Sequence, residues 1–259
     1  MNTQTSLLQR FCTPIALLAR QAGAAIMEIY TEDFAVSAKA DESPVTAADQ
    51  KAEAIILQGL HALTPGFPIV AEEEVAAGRV PEIGQTFWLV DPLDGTKEFI
   101  SRNGEFTVNI ALIEKNQPIL GCVFAPAINR LFLGGKALGA WLEDTQGRRQ
   151  IEARKPPATG LTVVASRSHN DPAMLAQFLD GKQIERVLNA GSSLKLCLLA
   201  AGEADLYPRL GRTMEWDIAA GHAVLLAAGG CIQTLAGEPL GYGKAGFANP
   251  HFVARGLAG

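Results

Sequence analysis

Apolar residues recur at three- and four-residue steps in two stretches near the N-terminus, which is the spacing of an amphipathic helix. The first stretch runs from Thr5 to Tyr30, and Pro14 marks a point where the pattern predicts an interruption. The second stretch runs from Thr46 to Leu63. Between them, residues 33–44 are polar and lack helical periodicity, so we expect a hairpin or a mobile loop over a site there.

The pattern changes after residue 106, where short apolar runs separated by turn residues predict β-strands. An antiparallel meander is expected, with Gly134-Gly135 as turn residues and strands at 107–113, 119–124, 130–133 and 139–142. Residues 153–160 contain two adjacent prolines and predict a linker. Beyond it, a strand-like run at 161–165 precedes helical stretches at 172–180, 192–202 and 216–228.

This change of pattern predicts two subdomains. Residues 1–155 are expected to form an N-terminal α+β unit with an antiparallel sheet, and residues 156–259 a C-terminal α/β unit. With 259 residues, 48% of them hydrophobic and 19% charged, the chain is able to bury a sizeable core.

Charge and cysteine usage exclude several classes of protein. A net charge of -5 and a pI near 5.5 argue against a protein that binds nucleic-acid backbones. The four cysteines are scattered without a C-x-x-C pair, which indicates reduced thiols. No apolar run approaches the roughly 20 residues that span a bilayer, and no Lys/Arg-rich leader precedes Arg10, so we expect a cytoplasmic protein. Peripheral membrane association and the choice between monomer and homodimer stay open.

The run Trp88-Leu-Val-Asp-Pro-Leu-Asp-Gly-Thr-Lys-Glu-Phe99 places two carboxylates, a turn and a hydroxyl at the end of an apolar strand. Asp91 and Asp94 suit Mg²⁺ as hard oxygen ligands, and the amides of Gly95 and Thr96 suit a phosphate. Asp-Pro and Asp-Gly are also ordinary ways to end a strand, so turn formation is the alternative.

Two further segments supply acids. Glu72, Glu73 and Glu74 follow the short apolar segment 67–70, and Asp217 opens a long apolar helical stretch. A solvated acidic run explains the glutamates equally well, and an acid at a helix start is favoured by the helix dipole even without a metal. Together with the 88–99 run, three segments predict one acidic pocket.

These motifs identify a resemblance to the inositol monophosphatase superfamily of Mg²⁺-dependent, lithium-sensitive phosphomonoesterases. The shared pattern is an acidic pair after a strand, Asp-Pro-Leu-Asp-Gly-Thr at 91–96 and Trp-Asp-x-Ala-Ala-Gly at 216–221. Within it, the chain is similar to 3'(2'),5'-bisphosphate nucleotidases of the bacterial CysQ type through residues 95–99, 103–109, 166–169, 191–195 and 207–211. The resemblance spans about residues 45–250.

The resemblance implies a fold and a metal centre. The implied fold is a sugar-phosphatase-like, layered α/β/α/β/α architecture with the site between the halves. Glu72, Asp91 and the Leu93 carbonyl would bind one Mg²⁺, and Asp91, Asp94 and Asp217 a second, with two or three ions in total. Such ions stabilise the developing charge on the phosphate and activate a water, and Glu73 would orient that water.

The same resemblance assigns Asp49 and Thr96 to catalysis, as a carboxylate and a hydroxyl that hydrogen-bond to each other and that position and deprotonate the attacking water. A capping box is the alternative for Asp49, because Thr46-Ala-Ala-Asp49 places an acid three residues after a threonine. The two roles do not exclude each other.

Substrate choice is assigned by resemblance to His169, Ser192, Lys195 and Arg209, which would face a nucleotide, alongside Glu72, Leu93, Asp94, Gly95, Thr96 and Asp217 at the phosphate. A lone histidine is often a surface residue, and Ser192 with Lys195 also reads as a serine cap followed by an exposed lysine. Arg209 suits a bidentate phosphate contact or stacking on a base.

The expected reaction is removal of the 3'-phosphate from adenosine 3',5'-bisphosphate, giving AMP and phosphate, with the sulfated form of that nucleotide as a further substrate in sulfur metabolism. Family resemblance implies inhibition by Li⁺. The rival readings are an inositol or sugar monophosphatase, and a metal-dependent phospholigand sensor without turnover. Lys97-Glu98 and Gly191-Ser-Ser-Leu-Lys195 favour the nucleotidase.

Overall fold

The computed structural model describes residues 3–31, 44–167 and 171–257, with side chains from residue 8 and from residue 45 in the first two ranges. The loop expected at 33–44 lies outside the described residues, apart from Pro44. Both N-terminal helices are present, as α1 (Thr3–Tyr30) and α2 (Pro44–Leu63). The expected interruption near Pro14 is wrong, because α1 continues through this proline despite the hydrogen bond it cannot donate.

The first sheet has seven strands in the order of the sequence. β1 pairs in parallel with β2, and every later neighbour is antiparallel. The strands are β1 (Ile69–Ala71), β2 (Thr86–Asp94), β3 (Thr107–Glu114), β4 (Gln117–Ala125), β5 (Arg130–Gly135), β6 (Gly139–Asp144) and β7 (Gly147–Ile151). The sequence pattern missed β7, because four of its five residues are exposed and it lacks an apolar run.

The second sheet has five strands in the order β11-β12-β10-β8-β9. β8 is parallel to β9 and β10, whereas β12 is antiparallel to β10 and β11. The strands are β8 (Leu161–Ser166), β9 (Ile184–Ala190), β10 (Leu206–Arg209), β11 (Cys231–Thr234) and β12 (Phe252–Arg255). Residues 152–160, which join the two sheets, contain neither helix nor strand, as the linker prediction requires.

Five shorter helices complete the fold: α3 (Glu72–Ala76), α4 (Thr96–Ile100), α5 (Pro172–Leu179), α6 (Leu194–Ala200) and α7 (Glu215–Ala227), with 3₁₀ turns at Pro126–Ile128 and Ala245–Phe247. α1 and α2 cover one face of the first sheet. α6 and α7 fill the space between the two sheets, and α5 packs outside the second. This is the predicted layered α/β/α/β/α fold. The subdomain boundary at residue 155 stays a prediction.

Two glycines let α7 lie close to the first sheet. A Cβ added to Gly121 would lie 2.3 Å from the Ala220 carbonyl oxygen, and one added to Gly134 would lie 2.6 Å from Val224 Cα. The expectation that Gly134 and Gly135 form a turn is wrong, since both belong to β5. The absence of side chains at these glycines allows close packing, and the local sequence does not distinguish this role from turn formation.

All four cysteines are free thiols. Within the described ranges, no helix combines the length and apolar character needed to cross a bilayer.

Candidate active site

A cavity of about 720 Å³ opens where the first sheet, the second sheet and the start of α7 meet. Acids from the first sheet line one side of it, notably Asp91 and Asp94. Cations from the second half line the other side, notably Lys195 and Arg209. The cavity therefore brings opposite charges from distant parts of the chain to one space.

Strand β2 carries Asp91 into this region. Phe87 and Leu89 belong to the apolar layer that contains α7, and Asp91 continues the same face two residues on. Asp91 is 1% exposed, and the Leu93 amide donates a 3.1 Å hydrogen bond to its Oδ1. The strand runs on to Asp94, with a register irregularity after Asp91 that re-aims side chains. Turn formation alone does not account for a carboxylate buried so completely.

Three carboxylates from three elements converge here. Glu72 begins α3, Asp91 lies in β2 and Asp217 lies in the first turn of α7. One carboxylate oxygen from each lies within 4.8 Å of the other two. Clustered hard oxygen donors suit a divalent cation.

The acidic run at 72–74 divides between two environments. Glu74 forms an exposed ion pair with Arg79, at 2.6 and 2.7 Å, so the solvated interpretation holds for this residue. Glu72 instead joins the carboxylate cluster. Glu73 is half-buried, and its amide donates a 2.9 Å hydrogen bond to Glu53 Oε2. Residues adjacent in sequence therefore have different surroundings.

Asp217 combines the two roles that the sequence left open. Its Oδ2 accepts a 2.9 Å hydrogen bond from the Met214 amide, which stabilises the start of α7. Its carbonyl accepts a hydrogen bond from the Ser193 hydroxyl, which ties α7 to the start of α6. The same side chain also belongs to the carboxylate cluster.

Burial and mutual repulsion raise the pKa of every acid in this cluster. Burial is the main cause, and it raises the pKa of Glu72 and of Asp94 to about 7 and that of Asp217 to about 6. The pKa of Asp91 lies well above its ordinary range, because burial acts together with the charges of Glu72 and Asp94. The charges of Lys195 and Arg209 oppose this rise only in part, so negative charge remains that a divalent cation would compensate, and the donor set fits a metal.

Two buried polar side chains, Asn109 and Thr107, lie beside these acids. Asn109 is directly opposite Asp91 in the β2–β3 pairing, and Thr107 is opposite Asp94, so each pair shares one face of the sheet. Both amide atoms of Asn109 and the Thr107 hydroxyl are buried without a hydrogen-bond partner among the described residues. Buried polar groups normally have partners, so these orphaned atoms also fit a site completed by a hydrated ion.

Asp49 lies in α2 beside the cluster and is 7% exposed. Burial, reinforced by Glu73 and Glu72, raises its pKa to about 8. The capping-box alternative is wrong, because α2 begins at Pro44 and Thr46 is therefore inside the helix.

Glu53 is an acid that the sequence reading missed. It is 4% exposed, it accepts the Glu73 amide, and burial raises its pKa to about 7. Glu53 follows Asp49 by one helical turn, so the two acids share a face of α2. This four-residue spacing is the sequence feature that could have indicated Glu53 as a candidate site residue.

Gly95 and Thr96 form the junction between β2 and α4. Gly95 has φ +98°, a left-handed conformation that favours glycine, and Thr96 is the exposed first residue of the helix. Both line the cavity. The Thr96 hydroxyl and the Asp49 carboxylate, both described, do not hydrogen-bond to each other.

Lys195 is buried rather than exposed, so the reading of an exposed lysine is wrong. Its Nζ donates to the carbonyl oxygens of Ser192, at 2.5 Å, and Ala190, at 3.3 Å. Burial lowers its pKa to about 8, and the charge of Asp94 opposes this shift. Ser192 has φ +44°, and Ser193, not Ser192, stands before the first residue of α6. Ser192 and Lys195 both line the cavity.

Arg209 ends β10 and is 6% exposed. Its Nη2 donates a 2.7 Å hydrogen bond to the Arg212 carbonyl, whereas its buried Nε has no partner in the part of the chain that the structure describes. Arg212 and Trp216 also line the cavity, although sequence reasoning did not single out either side chain. His169 lies outside the described residues, so its predicted contact stays a prediction.

Known proteins are similar to this chain over most of its length. A family model described as the inositol monophosphatase family matches residues 8–257. The 3'(2'),5'-bisphosphate nucleotidase CysQ of Escherichia coli strain K12 is 49% identical over 243 residues, covering 92% of this chain and 96% of the relative. The protein of the same name from Buchnera aphidicola is 41% identical and covers 99% and 97%.

Solved structures agree with these sequence relatives. The crystal structure of CysQ from Bacteroides thetaiotaomicron, described as a bacterial member of the inositol monophosphatase family, superposes with a TM-score of 0.83 at 36% identity. It covers 96% of this chain and 97% of its own. An inositol monophosphatase from Anabaena has a TM-score of 0.77 at 26% identity, covering 96% and 92%.

Proposed function

The chain belongs to the inositol monophosphatase family, and from this premise we propose that it is a metal-dependent 3'(2'),5'-bisphosphate nucleotidase. It removes the 3'-phosphate of adenosine 3',5'-bisphosphate to give AMP and inorganic phosphate, and it acts on the sulfated form of that nucleotide. The observation that carries this proposal is a single cavity with a carboxylate cluster on one side and buried cations on the other. A bisphosphate presents one phosphate to each side.

The carboxylates divide between two Mg²⁺ positions. Glu72, Asp91 and the Leu93 carbonyl would hold one ion, and Asp91, Asp94 and Asp217 would hold the second. When bound, these ions stabilise negative charge on the phosphate and lower the pKa of water. Li⁺ would compete for the second position. The clustering of Glu72, Asp91 and Asp217 within 4.8 Å supports this assignment.

Asp49 and Thr96 direct the attacking water. Thr96 stands beside the acids at the end of β2, and the Asp49 carboxylate is buried among them. We assign the Thr96 hydroxyl to orient the water and the Asp49 carboxylate to take its proton. A raised pKa suits a proton acceptor that works near neutral pH, and Glu73 helps to orient the water.

Lys195, Arg209, Ser192 and His169 bind the rest of the nucleotide. Arg209 Nε is a buried donor without a partner, as expected of a group that awaits an anion or a base. The ammonium of Lys195 is fixed by two carbonyl oxygens at the edge of the cavity. These side chains distinguish a nucleotide bisphosphate from a small phosphomonoester.

Parallel assays of Mg²⁺-dependent phosphate release test the proposal. The substrates are adenosine 3',5'-bisphosphate, its sulfated form, inositol 1-phosphate and fructose 1,6-bisphosphate, each with and without Li⁺. We expect preference for the nucleotides and loss of activity with Li⁺. Preference for inositol or sugar phosphate would retain the metal chemistry and discard the nucleotide contacts. Metal-dependent binding without turnover on any substrate would indicate a sensor.

A further inference from the structure

Glu105 joins the two halves of the molecule beside the cavity. It precedes β3, and it accepts four hydrogen bonds from the second half. Its Oε1 accepts from Arg167 Nη2 at 2.9 Å, and its Oε2 accepts from Arg167 Nε at 3.1 Å. Oε2 also accepts from the Gly191 amide at 2.8 Å, and the Glu105 carbonyl accepts from the Ser192 hydroxyl at 2.8 Å.

The packing of Gly191 against Glu105 and Glu98 leaves no space for a side chain at position 191. A Cβ added to Gly191 would lie 2.6 Å from Glu98 Cγ and 2.8 Å from the Glu105 carbonyl oxygen. Ser192, which follows, has the left-handed φ of +44° that a serine seldom adopts. Hydrogen bonds from both residues to Glu105 hold this conformation.

Glu105 is linked to Lys195 through Ser192. The Ser192 carbonyl that accepts the Lys195 ammonium belongs to the residue whose hydroxyl is bound by Glu105. At the other end, Arg167 Nη2 donates a 3.1 Å hydrogen bond to the Asn189 carbonyl while it is paired with Glu105. The Glu105 carboxylate therefore holds Gly191 directly and Asn189 through Arg167, and the Glu105 main-chain carbonyl holds Ser192.

We infer that Glu105 is the positioning residue that aligns the nucleotide-binding segment 189–195 with the metal side of the cavity. This inference rests on the proposed function. Glu105 is absent from the described residues that line the cavity, so it acts through Gly191, Ser192 and Lys195. The exposed Arg167 pair contributes little alone, so the hydrogen bond from the Gly191 amide carries most of the effect of the Glu105 side chain. The Ser192 hydroxyl binds the main-chain carbonyl, which substitutions of this side chain retain.

Substrate selectivity tests this role. For Glu105→Ala we expect kcat/KM for adenosine 3',5'-bisphosphate to fall by about 30-fold, mainly through KM. Activity on p-nitrophenyl phosphate, which has no second phosphate or base, should be unchanged. Glu105→Gln retains an acceptor for Gly191 and should have an intermediate effect. Glu203→Ala is the matched control, because it removes the Arg130–Glu203 pair, which also joins the two halves but lies outside the cavity lining.

Hydrogen exchange gives a readout independent of activity. In Glu105→Ala the amides of residues 189–195 should exchange faster than in the wild type, with no change in β2 or α7. Equal losses on both substrates, or unchanged exchange at 189–195, would overturn the inference. A wild-type enzyme without nucleotide preference would instead refute the proposed function, and the exchange measurement would still decide the role of Glu105.

Discussion

The two sides of the cavity bury charge in opposite ways. On the acidic side, Asp49, Glu72 and Asp91 lie among other acids, and burial raises the pKa of each. On the cationic side, the chain itself supplies partners, since Lys195 is held by two carbonyl oxygens and Arg209 by one. The acidic side has no comparable set of partners, so it depends more strongly on a charge from outside the chain.

Because of this difference, substitutions on the two sides should change stability differently, even where both reduce activity. Removing a buried acid relieves repulsion in the metal-free protein, although it removes a metal ligand. Removing a buried cation leaves carbonyl oxygens without donors, which costs stability as well as substrate affinity. Substitutions on the two sides should therefore move stability in opposite directions.

Asp91→Asn should have the largest effect on activity. The carboxylate faces Glu72, Asp94 and Asp217, so its loss should reduce kcat/KM by about 10³-fold or more. The same change should raise the midpoint of thermal unfolding in EDTA, because asparagine has no charge that must be buried, repelled or neutralised by a proton. Asp180→Asn, an exposed substitution of the same type, is the control for both assays. A lower midpoint in Asp91→Asn would contradict the account of uncompensated charge.

Asp49→Asn should reduce kcat by about 10²-fold while the fold is retained, because the amide cannot accept a proton. Circular dichroism and steady-state kinetics would measure the two effects. Glu53→Gln, one helical turn away, should cost less, since the side-chain amide oxygen still accepts the Glu73 amide. Equal activity in Asp49→Asn and the wild type would remove Asp49 from the mechanism.

Arg209→Lys should increase KM for the nucleotide bisphosphate by roughly tenfold and leave KM for p-nitrophenyl phosphate unchanged. Lysine retains the charge but not the planar guanidinium, whose Nη2 holds the Arg212 carbonyl. Thermal unfolding should occur at a lower temperature than in the wild type, the opposite of Asp91→Asn. An increase in KM for both substrates would place Arg209 at the reacting phosphate.

The smallest effect is the pH dependence of stability. Folded-state pKa values near 7 for Glu72 and Asp94 exceed the values of these groups in the unfolded chain. The folded protein therefore retains protons that the unfolded chain releases, and stability falls as pH rises through these values. In EDTA, the unfolding midpoint should drop by about 5 °C between pH 6 and pH 8. Mg²⁺ should abolish this drop, and a midpoint that rises with pH in EDTA would contradict it.

Local patterns predicted much of this molecule. Apolar periodicity located α1 and α2, and the run from Trp88 to Phe99 located the acidic end of β2. Local patterns failed where a residue depends on a distant partner. Glu105 gains its partners from Arg167, which follows β8, and from the segment after β9, and no short motif encodes these contacts.

The same limit explains the wrong predictions. Thr46 matched a capping box, but α2 begins earlier. Gly134 matched a turn, but its lack of a side chain accommodates Val224 from the other half. Orphaned atoms of Asn109 become visible only when β3 is paired with β2. In each case the prediction used a local pattern, whereas the observed structure depends on a contact with a distant part of the chain.

The close packing of α7 against Gly121 and Gly134 has a consequence for which substitutions this protein tolerates. Val224 lies two helical turns from Asp217, about 10 Å along the same rigid helix. A methyl group at position 134 would push the helix from the sheet, and the displacement would reach the Asp217 carboxylate. A side chain at either glycine should therefore disturb the metal side of the cavity, although neither glycine carries a functional group.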